Sequence, residues 1–312
     1  MPSDFRMDRS YRLVTRSDFD GLVCAALLKE LGMLDEIKFV HPKDMQDGLV
    51  PVTENDITTN LPYVEGCHLA FDHHMSETVR VGDRENYIID PDAPSAARVI
   101  YNHYGGKLTF LTIPDDMILA VDQGDSAQYE LSDIVSPQGW TLLNFLMDSR
   151  TGLGRFRNFR VSNYQLMMDL IDHCREKTID RILELPDVKE RADLFFEQEA
   201  KFKEQLKRCT QIHGNVAVLD LRKEDPIYAG NRFMIYALYP QTNISVHVLW
   251  GVRQQNTVFA VGKSILNRSS KVDIGPLMLT YGGGGHSAAG TCQIANDKAE
   301  ATLKELLAKL RD

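Results

Sequence analysis

Three short stretches in the first half of the chain carry side chains able to hold a cation. They are Ser17-Asp18-Phe19-Asp20-Gly21, Phe71-Asp72-His73-His74 and Val121-Asp122-Gln123-Gly124-Asp125. Two carboxylates two residues apart in a turn can face one ion, and a glycine after them lets the chain bend. Asp72, His73 and His74 add a hard oxygen and borderline imidazole nitrogens. Such a mixed set suits Mn²⁺, Mg²⁺, Fe²⁺ or Zn²⁺ better than Ca²⁺, which takes oxygen ligands. Each stretch alone reads more simply as a solvated turn or a surface pair. The first two each follow a predicted strand, where ligand sites of parallel sheets gather, so together they read as a metal site. The second half offers another chemistry. In Tyr281-Gly282-Gly283-Gly284-Gly285-His286-Ser287-Ala288-Ala289-Gly290, four glycines let the backbone approach an anion and aim N–H groups at it. His286 adds a side-chain donor.

The elements that must position these residues follow from pattern. Strands are predicted at 11–15, 37–41, 56–59, 68–71 and 87–89, with helices at 21–31, 95–104 and 115–121. Gly32 ends the first helix and Pro114 opens the third. This alternation predicts an α/β fold: an N-terminal parallel-sheet domain over residues 1–160. Residues 163–209 read as charged amphipathic helices interrupted near Pro186, a helical segment and linker over 161–212 without chemistry of its own. A smaller C-terminal α/β domain, 213–312, has strands at 215–221, 244–250 and 257–261, helices at 231–238, 273–280 and 295–310, and a loop at 281–286.

Composition narrows the function classes. The chain has 312 residues, 43% hydrophobic and 25% charged, ordinary for a folded protein and enough for two cores. Its net charge of −9 argues against a basic surface that coats long nucleic acids. The charge is uneven: residues 1–150 hold 25 acidic and 12 basic side chains, residues 151–312 hold 19 and 23. An acidic half can hold cations and a mildly basic half anions. Five cysteines, widely spaced and without a CxxC pair, predict neither a disulfide framework nor a thiolate zinc site. No signal-peptide core and no apolar run of about 20 residues is present, so the expected location is the cytoplasm, with no membrane partner.

Taken together, the motifs resemble the DHH phosphoesterase superfamily, which includes RecJ-type exonucleases, nanoRNases, cyclic-dinucleotide and pAp phosphodiesterases, pyrophosphatases of one class and exopolyphosphatases. Asp72-His73-His74 matches its signature triplet, Asp18-Phe19-Asp20-Gly21 its first motif, and Asp122 its fourth. The glycine run through His286 to Gly290 resembles the motif of the substrate domain that follows many members. The resemblance implies a two-metal hydrolase, usually Mn²⁺-dependent, with Mg²⁺ or another divalent ion as substitute. It matches Asp20, His73 and Asp122 to ligands of one ion and Asp18 to a ligand of the other. It places His74 near the attacked phosphate and Asp72 as the residue orienting the imidazoles. It implies that His286 with Gly283, Gly284 and Gly285 grips a substrate phosphate. Lys263 falls where an arginine is frequent, and Arg268 and Asn267 are weaker candidates for the same task.

Two positions depart from the family pattern. Arg16 stands where a histidine ligand is usual, and Asn60 where a bridging aspartate is usual. A guanidinium cannot bind a metal, and an amide oxygen is a weak ligand. Three outcomes stay open: Arg16 occupies the first ion's place and touches Asp18 or the substrate phosphate, leaving one ion; Asp125 or Asp56 restores the second site; or the chain binds nucleotides without turnover. The function this reading predicts is metal-dependent hydrolysis of short phosphate esters at a cleft between the domains. The substrate would be an oligonucleotide, a linear or cyclic dinucleotide, or pAp, with polyphosphate as the alternative. A small phosphorylated substrate is the expected partner, and a homodimer is compatible with the sequence.

Overall fold

The computed structural model of the chain describes residues 9–311. It divides into two compact units. Unit 1 runs to Gln128 and adds Gln138–Ser149 and Leu153–Asp193; unit 2 takes Tyr129–Pro137, Arg150–Gly152 and the chain from Leu194 onward.

The sheet of unit 1 has five parallel strands: β1 (Tyr11–Arg16), β2 (Leu34–Val40), β3 (Asp56–Thr59), β4 (Leu69–Asp72) and β5 (Tyr87–Ile89), in the order β2-β1-β3-β4-β5. The α/β class and the parallel sheet expected from the sequence are borne out. Leu13, Val14 and Thr15 are buried in succession, as a strand covered on both faces requires. Arg16 ends β1, Asn60 follows β3 and Asp72 ends β4. Because β1, β3 and β4 are neighbours, three segments distant in sequence finish at one edge of the sheet.

Helix α1 (Phe19–Glu30) is buried at every residue from Phe19 to Leu28. A helix that is apolar all round belongs in the interior, and α1 packs on β1, α2 (Ala96–His103), α3 (Asp115–Asp125) and α4 (Asn163–Glu176). Helix α4, read from sequence as linker, buries Leu166, Met167, Leu170, Ile171 and Cys174. Ion pairs Lys29–Asp172 (2.7 Å) and Arg175–Glu30 (2.6 Å) join it to α1. Helix α3 runs four residues beyond its predicted end, so Asp122 and Asp125 lie in its last turn rather than after it. Gly124 is tolerated there because the turn is closed by Ser126, whose N–H and hydroxyl both donate to the Asp122 carbonyl.

A buried arginine ties the end of unit 1 together. Arg191, on α5 (Pro186–Cys209), is fully buried. Its guanidinium donates to Asn163 Oδ1 (2.9 Å), to the carbonyls of Asp187 and Val161 (2.7 Å each) and to Glu190 Oε1 (3.0 Å), and lies 4.1 Å from the Phe159 ring centroid. Arg191→Ala strands these acceptors and is expected to cost about 3–5 kcal/mol in urea denaturation of the full chain. Arg191→Lys should recover little, because an ammonium lacks the planar fork these acceptors fit.

Unit 2 is built on a six-stranded sheet of β6 (Thr210–His213), β7 (Val216–Asp220), β8 (Ile244–Trp250), β9 (Thr257–Lys263), β10 (Gly284–His286) and β11 (Ala289–Ile294), in the order β10-β11-β9-β8-β7-β6. Only β7 and β8 pair in parallel. Val216, Val246, Phe259, Val261 and Cys292 meet Ile274 and Met278 of α6 (Ile274–Leu279) and Leu306 and Leu310 of α7 (Ala299–Leu310) in one core. The predicted loop at 281–286 is corrected here: its last three residues form the edge strand β10, paired with β11. Cysteines 24, 67, 174 and 292 are buried and all five are unbridged.

Candidate metal and phosphate site

One group of metal-type donors converges among the described residues: Asp20, His73 and Asp125, whose donor atoms all lie within 4.8 Å of one another. Asp20 is in the first turn of α1, His73 follows β4, and Asp125 is the last residue of α3. Asp20 is held from behind by the start of α2. Its Oδ2 accepts from the Ala96 N–H (3.0 Å) and its Oδ1 from the Ala97 N–H (2.8 Å). A helix N-terminus stabilises a carboxylate at this spot. His73 Nδ1 lies 3.2 Å from the Ala93 carbonyl, which can only accept, so Nδ1 carries a proton and Nε2 is the atom that would face a cation. Nε2 is buried and faces Asp125 Oδ2 at 2.9 Å, an ion-pair contact between two metal-type donors.

Electrostatics report an unmet need for positive charge. Burial, together with the Asp125 carboxylate, pushes the Asp20 carboxyl up to about 7. Burial alone would lower His73; Asp125 and Asp20 outweigh it and carry the imidazole up to about 9. Burial would also raise Asp125, but His73 holds it below the ordinary carboxylate range. One buried and one half-buried carboxylate facing an imidazole nitrogen fit a divalent cation.

The residues matched by resemblance fall into separate places. Asp72 is buried and orients its neighbours: Oδ1 accepts from the His73 N–H (2.9 Å) and lies 2.7 Å from His74 Nδ1, while Oδ2 accepts from Tyr87 Oη (3.0 Å). Burial would lower His74, and Asp72 more than offsets this and raises it. Asp122, matched to a metal ligand, turns instead toward α2. It accepts from Ser95 Oγ (2.8 Å) and from Arg98 Nε (2.9 Å). Ser95 is the N-cap of α2, so Asp122 braces the helix whose amides hold Asp20. Asp18, matched to the other ion, also lies outside the donor group. Its Oδ1 accepts from the Gly21 N–H (3.0 Å) and from Asn60 Nδ2 (3.3 Å), and its Oδ2 is 2.8 Å from Arg16 Nε. Asp56 is drawn away to Arg12 at 2.6 Å.

In unit 2 the candidates gather at the β10–β11 turn. A Cβ on Gly283 would stand 2.0 Å from the Thr291 carbonyl oxygen, and one on Gly285 2.2 Å from that of Ala289. Both positions therefore require glycine for close backbone approach. His286 is exposed, with Nδ1 accepting from the Ala288 N–H (3.2 Å). Lys263, at the end of β9, donates its N–H to the Ala288 carbonyl (2.8 Å), which sets it beside the turn. Arg268 is exposed and folds back to the Ile265 carbonyl (3.0 Å). Sequence reasoning missed the bracing set of Ser95, Arg98, Tyr87 and the Ala93 carbonyl. Only Ser95 carried a local signal, as a helix-capping serine before Ala96.

No family model and no curated protein matches the chain. Solved structures do. A pGpG-specific phosphodiesterase, PggH from Vibrio cholerae, is 60% identical, with a TM-score of 0.83, over 96% of this chain and 99% of that one. RecJ from Thermus thermophilus in complex with Mn²⁺ is 14% identical with a TM-score of 0.50, over 95% of this chain and 51% of that one, and shares the fold. With identity of this degree over nearly the whole length of PggH, and with the DHH triplet at the end of β4, the chain belongs to the DHH phosphoesterase superfamily.

Proposed function

We propose that the protein hydrolyses the phosphodiester bond of a short linear dinucleotide carrying a 5′ phosphate, of the pGpG kind. The observation that carries this reading is the 60% identity to a pGpG-specific phosphodiesterase across 99% of that chain. The Asp20, His73 and Asp125 group supports it. These three residues would hold a divalent cation, Mn²⁺ being the first choice by analogy with the RecJ complex. When bound there, a divalent cation would supply an activated water and would offset charge on the phosphoryl oxygens.

The chain's own residues do the rest. Asp72 is locked by Tyr87 and fixes the His74 ring through Nδ1, so His74 Nε2 is the atom presented for proton transfer or for donation to a phosphate oxygen. The α2 amides hold Asp20 in place for its ligand role. The turn at Gly283, Gly284 and Gly285 with His286 is assigned a phosphate grip, and Lys263 beside it adds positive charge. A second reading, binding without turnover, is favoured by one observation, the Arg16 guanidinium 2.8 Å from Asp18.

The test incubates the full chain and Mn²⁺ with pGpG, other dinucleotides, pAp, short oligonucleotides and polyphosphate, and follows products by chromatography. Release of mononucleotides from the linear dinucleotide is the expected result. Binding without product under Mn²⁺ and Mg²⁺ would overturn the hydrolase reading and leave the binder. His286→Ala is expected to raise KM about tenfold at unchanged Mn²⁺ affinity, the loss of one charge-assisted contact. An unchanged KM would remove the phosphate-grip role of His286.

A further inference from the structure

The corner around Asp18 is already neutral without a metal. Asp18 caps α1, and its carboxylate receives the Gly21 N–H, the Asn60 amide and, at 2.8 Å, the Arg16 guanidinium. An ionised carboxylate has about four acceptor directions, and a cation placed here would have to displace a side chain of its own sign. Asn60 cannot easily move aside. It is 1% exposed, its N–H donates to the Phe71 carbonyl (3.1 Å), and its backbone sits at φ 54, a left-handed conformation that asparagine tolerates. Its Oδ1 is buried without a hydrogen bond, a single neutral oxygen that makes no divalent site by itself.

The two corners feel each other's charge, yet each has its own match at contact distance. Asp20 and Asp125 with a neutral His73 match one divalent cation. Asp18 matches Arg16. The Arg16 side chain is 34% exposed and meets Asp18 through Nε. With a third of its side chain exposed, the guanidinium can be reached from solvent. A fork of this kind suits a phosphate oxygen pair.

We propose that the centre takes a single divalent cation, on Asp20, His73 and Asp125, and that Arg16, held by Asp18, supplies the second positive charge by gripping a non-bridging phosphate oxygen of the substrate. The proposal rests on the metal-dependent hydrolase reading and adds the ion count and the role of Arg16.

Metal content separates the two ideas without turnover. The full chain is dialysed against Mn²⁺, bound metal is counted, and the electron paramagnetic resonance of the bound ion is recorded. One equivalent per chain with an isolated-ion spectrum is expected. Two equivalents, or a spin-coupled pair, overturn the single-ion centre and leave the hydrolase reading intact; no bound Mn²⁺ overturns both the centre and the metal reading. The double variant Arg16→Ala with Asn60→Asp removes the guanidinium and sets a second carboxylate beside Asp18. It is expected to gain a second equivalent, and a count that stays at one overturns the view that Arg16 keeps the second ion out. Arg16→Gln in the otherwise unchanged protein should keep one Mn²⁺ and weaken inorganic phosphate, measured as a competitive inhibitor or by calorimetry, about ten- to hundredfold. Unchanged phosphate affinity in Arg16→Gln overturns the gripping role.

Discussion

Asp125→Asn is expected to lower kcat/KM by two to four orders of magnitude and to weaken Mn²⁺ binding in parallel. The change keeps the side chain's shape and removes only its charge. Asp125 supplies one of only two carboxylates in the donor group, and its Oδ2 stands 2.9 Å from the His73 Nε2. His73→Ala should match it, because Nε2 is the third donor. Asp122→Asn is the informative contrast. Asp122 acts through Ser95 and Arg98, which set the start of α2, whose amides hold both oxygens of Asp20. Bracing residues of this type cost about ten- to hundredfold when removed. Mn²⁺ titration and steady-state kinetics on both variants decide the matter. A larger loss of Mn²⁺ affinity in Asp122→Asn than in Asp125→Asn would reverse the assignment.

The second large effect is expected at a residue with no side chain. Gly21→Ala places a Cβ 2.0 Å from the Arg16 carbonyl oxygen and 2.7 Å from Thr15 Oγ1. Backbone cannot yield as the end of a flexible side chain would, so either β1 or the first turn of α1 must move. Overpacking of this kind costs about 1–3 kcal/mol, and more where backbone blocks it. The displacement also falls on the chemistry. Asp20 precedes Gly21, and the Gly21 N–H donates to Asp18 Oδ1 at 3.0 Å. Gly21→Ala should therefore lower the urea midpoint by an amount worth about 3 kcal/mol and reduce turnover at least a hundredfold in the protein that remains folded. Full activity in a folded Gly21→Ala variant would show that α1 can shift without moving Asp20. Gly21→Ser should behave the same way, since the clash begins at Cβ.

The fold class was legible because the relevant signals are local. Short β-branched or apolar stretches bounded by polar turns marked β3, β5 and β8 at their observed residues. Their alternation with helices implied the parallel sheet, and the positions of the Asp and His stretches after predicted strands implied one shared sheet edge. The glycine run was legible as a place of close backbone approach. It was not legible as a strand, because the pairing that makes it one comes from Ala289 to Thr291 across the turn.

The sequence by itself determined the residue types: the DHH triplet, the two aspartates around Phe19, an arginine at 16 and an asparagine at 60, and hence that any ion centre here would differ from a purely acidic one. Tertiary structure alone decided which groups meet. Asp122 and Asp125 are three residues apart in one helical turn, about 60° around its axis, and sequence treats them alike. The packing of α3 against α2 turns the first toward Arg98 and lets the second reach His73. The same holds for Asp18 and Asp20. Two residues apart at the start of α1, one faces Arg16 and Asn60 and the other the buried amides of Ala96 and Ala97, 76 and 77 positions away in the chain. Charge pairing is a matter of distance in space, and the spacing of a motif along the chain does not contain it.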